Sequence, residues 1–453
     1  SVVLYPPPKN EYQRYPYVLD YARQYLEAKY GHDQLYQGGL EIYLSIDPHL
    51  QASAEASVAH EMRNTRWPLE MSLVSLEPAT GLVKALVGGR DYYGDYKTAQ
   101  VNLALSKFPP GSSFKAFTAA AALESGIPAN ARMYAPEMIY KPGCNCVCPV
   151  GNAAAGESGN WDMPQAMGMS INTWFVNLFD KVGKYKVIAL VHRMGVNPVL
   201  DQYGVNYQMA IGKNEVSPLE RASACGVFAN RGVRAEPTQV AKVVRHDGVL
   251  LEDNTQPRGA QVLNPTVADW MSEVLRAPIE KGTATGVVKL DRMAAGKTGT
   301  IDAHTNAWFV GYTPQLATSV WIGHADSNTR TIYFPGEGEV FGAGPPARVW
   351  NAYMNQALVD VPVVNFNPPE PLPPPEQLVV ATPGEEYVRE EVRRPPARTP
   401  GPQSIPEDCG GPCVVNPVVQ APQAPALPRP TTAPPSPPST APATSAAPTT
   451  APR

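Results

Sequence analysis

The order of strand and helix patterns along the chain predicts an α+β fold built on one central antiparallel sheet. Two strand patterns joined by a Pro-Ala-Thr-Gly turn follow Leu69, and three more lie within residues 292–324. Apolar helical periods fill most of the sequence between them. Because the first pair must find partners among the last three, we expect a sheet of about five strands. Helices on both faces and a large helical subdomain complete the predicted architecture.

Composition divides the chain into three predicted parts. Residues 1–68 hold a helix that ends at Gly31, a strand pattern and a second helix that starts after Asp47, which indicates a small linker or pedestal region. Residues 69–360 hold the sheet and most helices, and therefore the main domain. Residues 361–453 are dominated by Pro, Ala, Thr and Ser, so we expect an extended, disordered tail that cannot form a core.

Charge and hydropathy exclude two classes of function. The formal net charge is -4 and 17% of residues are charged, without a basic stretch that would indicate nucleic-acid binding. No apolar run reaches the roughly 18 residues of a membrane span, and the N-terminus lacks the pattern of a signal peptide. If the natural protein is anchored or secreted, we expect the segment responsible to lie outside this sequence.

The cysteines favour a disulfide over a metal site. They are Cys144, Cys146, Cys148, Cys225, Cys409 and Cys413. The first three lie in a stretch, residues 127–162, that is expected to be irregular. Without a CxxC pair or a nearby histidine ligand we predict no metal, and we favour a disulfide-clipped loop in an oxidising compartment, with its pairing left open. Cys225 lies in an apolar helical pattern and is expected to be a buried, inert thiol.

A candidate nucleophile lies in the segment FPPGSSFKAFTAAAALESG, residues 108–126. Two prolines and a glycine precede Ser112, and the run that follows is apolar on nearly every side, as in a buried helix. Residues three apart share a helix face, so Ser112 and Lys115 can meet there. A serine hydroxyl needs a base to attack a carbonyl, and Lys115 could serve if burial lowers the pKa of its amine. Because a Ser-x-x-Lys pair also occurs by chance, the assignment needs further motifs.

A second motif, Ser170-Ile171-Asn172, lies in a predicted break between two helical patterns. A polar triplet among Met, Ile, Trp and Phe needs hydrogen-bond partners if it is buried. The Ser170 hydroxyl could pass a proton to a leaving amine, and the Asn172 amide could hold a substrate carbonyl. The alternative is a helix N-cap, since Ser and Asn both cap helices well.

A third motif, Lys297-Thr298-Gly299-Thr300, ends a strand pattern. Gly299 would let a ligand backbone approach closely. The cation of Lys297 and the hydroxyls of Thr298 and Thr300 could together hold a carboxylate. The backbone N–H groups of Thr300 and Ser112 could form an oxyanion hole. The alternative is an exposed strand end without a ligand.

The three motifs in this order are similar to the S-x-x-K, S-D-N-type and K-T-G set of penicillin-binding proteins and class A β-lactamases. GLEIYLSIDPHLQ, residues 39–51, is similar to the linker signature of class A, bifunctional penicillin-binding proteins, and residues 210–232 are similar to their segment between the second and third motifs. The resemblance runs from about Gly39 to Leu358, and the tail resembles those of actinobacterial members. CNCVC is not typical of the family, and VNLALSK lacks its common Asn-Arg-Ala.

The resemblance implies a fold like that of penicillin-binding proteins and serine β-lactamases, and a serine D,D-transpeptidase that uses no cofactor. Ser112 would attack a peptidoglycan stem peptide ending in D-Ala-D-Ala, with Lys115 as base and Ser170 in the proton path. Asn172, Lys297, Thr298 and Thr300 would hold the peptide, and an amine from a neighbouring stem would complete the cross-link. β-Lactam antibiotics would acylate Ser112.

The same resemblance implies features outside this sequence. They are a glycosyltransferase domain, a membrane anchor, a position on the cell-wall side of the plasma membrane, and proteins of cell-wall synthesis and division as partners.

Two other functions stay open from the sequence. The first is a hydrolase, either a β-lactamase or a D,D-carboxypeptidase. No Glu-x-x-Leu-Asn occurs between Asn172 and Lys297, which disfavours a class A β-lactamase, whereas an amine acceptor leaves no motif that would exclude a carboxypeptidase. The second is a β-lactam sensor that is acylated without turnover, although a sensor would not be expected to carry the linker signature.

Overall fold

A computed structural model describes residues 14–143, 146–154, 156–200 and 205–378, without the side chains of residues 141–148 and 302. The helices, α1 to α11 in chain order, are Pro16–Tyr30, His32–Gln37, Pro48–Met62, Lys115–Glu124, Met163–Met169, Asn172–Val182, Lys184–Arg193, Pro218–Ala229, Pro265–Glu280, Pro345–Ala357 and Pro375–Leu378. Short 3₁₀ turns span Gly111–Phe114, Tyr207–Ile211 and Asp302–His304. Within the described ranges, no helix is both long enough and apolar enough to cross a bilayer.

The strands, β1 to β16 in chain order, are Leu40–Leu44, Leu69–Leu76, Val83–Val87, Met133–Ala135, Met138–Gly143, Cys146–Gly151, Gly159–Trp161, Val233–Arg234, Val240–Arg245, Leu250–Asp253, Ala260–Gln261, Ala295–Thr300, Asn306–Tyr312, Ala317–His324, Tyr333–Phe334 and Gly338–Glu339. The prediction of a five-stranded antiparallel sheet is confirmed, with the order β12-β13-β14-β2-β3. As expected, the first strand group joins the last, because β2 pairs with β14 from Leu76↔Ala317 to Leu69↔His324.

Helices cover both faces of this sheet, as predicted. Successive residues of a strand point to opposite faces, so Val74 packs in the core with α4, α6 and α8, whereas Leu73 packs in the core with α3 and α10. β2 is therefore buried at every position. All ten residues of α4 are buried, which confirms the expected central helix. The turn that holds Ser112 and Ser113 lies at the N-terminal end of this helix.

Residues 127–162 are not irregular, contrary to the expectation. β4 pairs with β7, and β5 pairs with β6 in a hairpin that we call the 138–151 hairpin. Pro142 and Pro149 made this stretch resemble a loop, but both strands of an isolated hairpin are edge strands, which tolerate proline. The predicted disulfide falls outside the described side chains, because none is described at Cys144, Cys146, Cys148, Cys409 or Cys413. Cys225 is a buried free thiol, as expected.

A second sheet, of order β1-β9-β10, was missed by the sequence reasoning. The strand in residues 40–44 pairs with β9, about 200 residues later in the chain. Val240 and Val243 are fully buried beneath Leu26 of α1. Since β9 shows burial only at every third position, its sequence lacks the alternation that identifies a half-buried strand.

Residues 361–378, which we call the C-terminal strap, pack on the domain although they fall in the expected disordered tail. The Phe366 ring meets the ring of Tyr312 edge to face at 5.4 Å, and the Trp270 indole N–H donates to the Glu370 carbonyl at 2.7 Å. Leu378 is fully buried. The composition suggested a spacer because proline dominates this stretch. A Pro-rich chain has little conformational entropy to lose, so the burial of a few apolar residues suffices to hold it against the domain.

Candidate active site

The segment of the first motif, residues 108–126, contains a tight turn at Gly111 that requires glycine. Gly111 has a φ of +55°, and its N–H donates to the Gly212 carbonyl at 3.0 Å. A Cβ at position 111 would stand 2.5 Å from the carbonyl oxygen of Thr300. The chain then forms a 3₁₀ turn, Gly111–Phe114, and the α-helix starts at Lys115. The predicted helix therefore begins three residues after Ser112.

Two adjacent serines in this turn have different surroundings. Ser113 is fully buried and its hydroxyl donates to the Pro110 carbonyl at 2.9 Å. Ser112 is only partly buried. A nucleophile must be reachable by substrate, so the exposure favours Ser112 as the reactive residue and assigns Ser113 a structural role.

Lys115 links the first motif to the second. Its side chain is fully buried at the start of α4. The amine donates to the Ser170 carbonyl and to Asn172 Oδ1, both at 2.6 Å, and lies 3.2 Å from Ser170 Oγ. Three oxygen partners satisfy the three donors that a charged lysine amine carries.

Ser170 lies in a strained break between helices α5 and α6, where the predicted interruption is confirmed. Its backbone is left-handed, with φ 61° and ψ 40°, which costs an ordinary residue about 1–2 kcal/mol. The N-cap residue of α6 is Ile171, and it makes no side-chain capping hydrogen bond. Neither Ser170 nor Asn172 occupies the N-cap position, so the N-cap alternative for this motif is wrong. Strain of this kind persists where surrounding contacts fix a side chain in place.

The Ser170 hydroxyl is shared by two lysine amines. Lys297 Nζ donates to it at 2.9 Å, opposite the 3.2 Å contact from Lys115 Nζ. Lys297 is 2% exposed, and burial lowers the pKa of its amine from an ordinary 10.5 to about 7. Two cations beside one hydroxyl would repel each other, so this arrangement favours at least one neutral amine near neutral pH.

The third motif forms β12, the strand of the central sheet that faces the 3₁₀ turn Gly111–Phe114. A Cβ at Gly299 would overlap the Pro110 carbonyl oxygen, so this glycine permits direct contact between the first and third motifs. The Thr300 hydroxyl accepts the N–H of Gly342 at 3.0 Å and still has its own proton to donate. Thr298 Oγ1 lies 3.2 Å from Lys297 Nζ. The structure thus brings all three predicted motifs to one place.

Sequence reasoning missed several residues that support these motifs. Arg221, 1% exposed, donates to the Ser113 carbonyl at 2.8 Å and lies 4.6 Å from the centre of the Phe117 ring. The sequence did offer a signal for Arg221, since an arginine within an apolar helical pattern is expected to have a buried partner. Thr283 Oγ1 lies 2.8 Å from Thr298 Oγ1, and no local pattern indicated it.

The 138–151 hairpin also reaches the second motif. The Gly151 carbonyl accepts a hydrogen bond from Asn172 Nδ2 at 2.9 Å. Among the described residues, no group of His, Cys, Asp and Glu side chains is placed to hold a metal ion.

Comparisons with known proteins agree with this geometry. The family model for the penicillin-binding protein transpeptidase domain matches residues 71–333. Penicillin-binding protein 1A of Aquifex aeolicus is 34% identical over 319 residues, which cover 69% of this chain and 40% of that protein. Penicillin-binding protein 1A of Mycolicibacterium smegmatis is 30% identical over 350 residues, covering 73% and 43%. The chain thus spans about two fifths of the length of these relatives.

Solved structures show the same fold. The penicillin-binding protein PonA1 from Mycobacterium tuberculosis superposes with a TM-score of 0.71 at 27% identity, over 81% of this chain and 97% of that one. PonA1 in complex with penicillin V gives a TM-score of 0.70 over 81% and 98%. Because the family model spans more than half of the chain, the resemblance is confirmed: the protein belongs to the penicillin-binding protein transpeptidase family and contains a transpeptidase domain of the class A type.

Proposed function

We propose that the domain is a serine D,D-transpeptidase that cross-links peptidoglycan stem peptides through an acyl-enzyme at Ser112. The observation that carries the proposal is the Ser170 hydroxyl placed 3.2 Å from Lys115 Nζ and 2.9 Å from Lys297 Nζ. Two buried amines joined by a hydroxyl form a path along which a proton can move. Acyl transfer needs such a path, because the nucleophile loses a proton and the leaving amine gains one.

Acylation starts at Ser112. Its Oγ attacks the carbonyl carbon of the penultimate D-alanine while the neutral Lys115 amine takes the hydroxyl proton. The protonated Lys115 amine hands this proton to the Ser170 hydroxyl as Ser170 passes its own proton to the nitrogen of the terminal D-alanine. The C–N bond then breaks and D-alanine leaves. An amine from a second stem peptide attacks the ester carbonyl and gives up a proton along the same path, the ester C–O bond breaks, and Ser112 regains its hydroxyl proton as the cross-link forms.

The substrate is held by the third motif and by Asn172. Lys297 and the hydroxyls of Thr298 and Thr300 bind the terminal carboxylate, and Gly299 leaves room for the peptide backbone. The backbone N–H groups of Ser112 and Thr300 bind the oxyanion, where one lost donor costs about 2.7–4 kcal/mol of transition-state stabilisation. The support for this pairing is the close approach of the Thr300 backbone to Gly111.

β-Lactams react at the same serine in this proposal. The carboxylate of the antibiotic takes the place of the terminal carboxylate, and ring opening transfers the serine proton to the lactam nitrogen. Support comes from PonA1, a relative at 27% identity that has been solved with penicillin V. Water in place of the acceptor amine would make the domain a carboxypeptidase or a β-lactamase, and an adduct that never resolves would make it a sensor.

The rest of the protein is also proposed by analogy with its relatives. We infer a glycosyltransferase domain and a membrane anchor in the natural protein, an extracytoplasmic position, and partners among cell-wall synthesis and division proteins. We further infer a linker over residues 1–68, a transpeptidase domain over 69–360, and a Pro-rich tail whose first residues form the C-terminal strap.

Intact-protein mass spectrometry with penicillin V tests the proposal. We expect one adduct that is stable for hours, and none in Ser112→Ala. Ser113→Ala is the matched control, because it removes the neighbouring hydroxyl and its 2.9 Å bond to Pro110 but should keep the adduct. Labelling that survives Ser112→Ala contradicts the nucleophile assignment.

Two further assays separate the alternatives. Rapid loss of the adduct would indicate a β-lactamase. Incubation with a stem peptide and an amine acceptor distinguishes a transpeptidase from a carboxypeptidase, which releases D-alanine without a cross-link, and from a sensor, which releases none.

A further inference from the structure

The first turn of helix α6 is capped from outside the helix. An α-helix leaves its first N–H groups without partners inside the helix, and the N-cap residue Ile171 has no side chain that could accept one. Asn152, which directly follows the 138–151 hairpin, supplies the missing acceptor. Its Oδ1 accepts the backbone N–H of Thr173 at 3.0 Å and the Thr173 hydroxyl at 3.1 Å.

Asn152 is itself held in place. Its Nδ2 donates to the Pro136 carbonyl at 3.2 Å, and the same carbonyl accepts the Thr173 hydroxyl at 2.7 Å. Thr173 is fully buried and Asn152 is partly buried, so the bonds made at Thr173 meet little competition from water. The residues on both sides of the hairpin are thereby tied to one residue of α6.

The neighbouring residue on the helix is Asn172, whose amide is oriented at both ends. Its oxygen faces the Lys115 amine at 2.6 Å, and its nitrogen donates to the Gly151 carbonyl at 2.9 Å. The Gly151 bond uses one of two amide hydrogens, and the second is the one that the proposed function assigns to a substrate carbonyl. Gly151 and Asn152 are consecutive, so one short segment fixes both Asn172 and Thr173.

We propose that Asn152 is a positioning residue for acyl transfer, which acts by holding the first turn of α6 so that the Asn172 amide faces both Lys115 and the substrate. The 138–151 hairpin is thereby a working part of the active site. This inference rests on the proposed function of Ser112 and Lys115, and it deepens that function by assigning a role to a residue outside the three motifs.

The expected consequence of losing Asn152 is specific. Without the cap, the helix start can shift, the Asn172 oxygen moves away from Lys115, and the amine loses an acceptor that favours its charged form. A displacement of about 1 Å near reacting groups can cost a hundredfold in rate. The acylation step should therefore slow, and its pH dependence should move, because less support for the charged amine makes Lys115 easier to deprotonate.

The test compares acylation by penicillin V in the wild type, Asn152→Ala and Asn230→Ala. Stopped-flow measurements separate the dissociation constant of the initial complex from the first-order acylation rate constant, over pH 5 to 9. For Asn152→Ala we expect the acylation rate constant to fall about tenfold to a hundredfold, and the rising limb of its pH profile to move to lower pH. Asn152→Asp keeps the acceptor oxygen for Thr173 and should recover most of the rate at the plateau of the profile.

Asn230→Ala is the matched control. Like Asn152, Asn230 is partly buried, and its Nδ2 donates to the backbone carbonyls of Pro78 and Val233 at 3.2 and 3.3 Å. Unlike Asn152, it lies at the C-terminal end of α8. It should lower thermal stability without changing the acylation rate constant or its pH profile. If Asn152→Ala lowers only stability, as this control does, the positioning role is refuted.

Two further variants keep the result interpretable if Asn152→Ala does not fold or if the proposed function itself is wrong. If Asn152→Ala does not fold, Asn152→Leu replaces it, because this change removes the acceptor for the Thr173 N–H at nearly constant side-chain volume. An unchanged acylation rate constant in Asn152→Leu then refutes the role. Ser112→Ala, measured in parallel, reports on the proposed function alone. Loss of its labelling together with a normal Asn152→Ala would overturn this inference and leave the proposed function intact.

Discussion

The buried amine of Lys297 makes a prediction about proton uptake when a ligand binds. Burial lowers the pKa of this amine from 10.5 to about 7. That change corresponds to about 5 kcal/mol against the charged form, at about 1.4 kcal/mol for each pKa unit. At pH 8 the free domain should therefore carry a charge on only about a tenth of its Lys297 amines. A ligand carboxylate beside Lys297 favours the charged form and raises its pKa again.

We expect acylation by penicillin V at pH 8 to take up about 0.9 proton per site, and at pH 6, where the amine is already charged, only about 0.1. Acyl transfer itself adds no net proton, since the serine proton moves to the lactam nitrogen. The measurement is titration calorimetry in two buffers of different ionisation enthalpy, because the difference in heat gives the number of protons exchanged.

Lys297→Arg is the control for this assay. A guanidinium stays charged throughout this pH range, so the variant should bind without proton uptake at either pH. Two results would refute the reasoning. One is uptake near zero at pH 8 in the wild type. The other is equal uptake in the wild type and the arginine variant, which would place the titrating group elsewhere.

Two more predictions concern the contacts around the site. Gly111→Ala should abolish penicillin labelling, because its Cβ would stand 2.5 Å from the Thr300 carbonyl oxygen. Gly286→Ala is the control: Gly286 also has a positive φ, but the space around its Cβ is open, so this variant should label normally. Equal labelling of the two variants would contradict the prediction. Ending the chain before residues 366–378 should lower the free energy of unfolding by at least the 1.5–3 kcal/mol of one buried Leu378 side chain. Urea unfolding checks this against a chain that ends directly after Leu378, and equal midpoints would show that the strap contributes nothing.

The parts of the fold that the sequence could predict are those with strong local signals. The ends of α1 and α8 were marked by Gly31 and Pro218, and the five strands of the central sheet by apolar runs and a turn. The 138–151 hairpin and β9 were missed because proline and weak alternation hide a strand whose partner is decided elsewhere in the chain. Leu378 was missed because isolated apolar residues within a Pro-rich stretch carry no periodicity.

The candidate site shows a similar division. The motif residues could be singled out because their types and spacing match a known reaction, and the structure brings the three motifs to one place. The lowered pKa of Lys297 follows from its burial, and burial is set by the packing of the whole domain. Asn152 could not be found, since its role comes from a hydrogen bond between segments that only the folded chain brings together.

The pairing of β2 with β14 has a consequence for how the domain forms. The hydroxyls of Ser75 and Thr318 meet across this pair although 243 positions separate them along the chain. Contacts of such long range slow folding, because a large loop must close before they can form. The middle of the sheet therefore cannot assemble until nearly the whole domain is present to fold, and the apolar strand Leu69–Leu76 stays exposed to aggregation until then. Factors that shield this strand during folding should therefore raise the yield of folded protein.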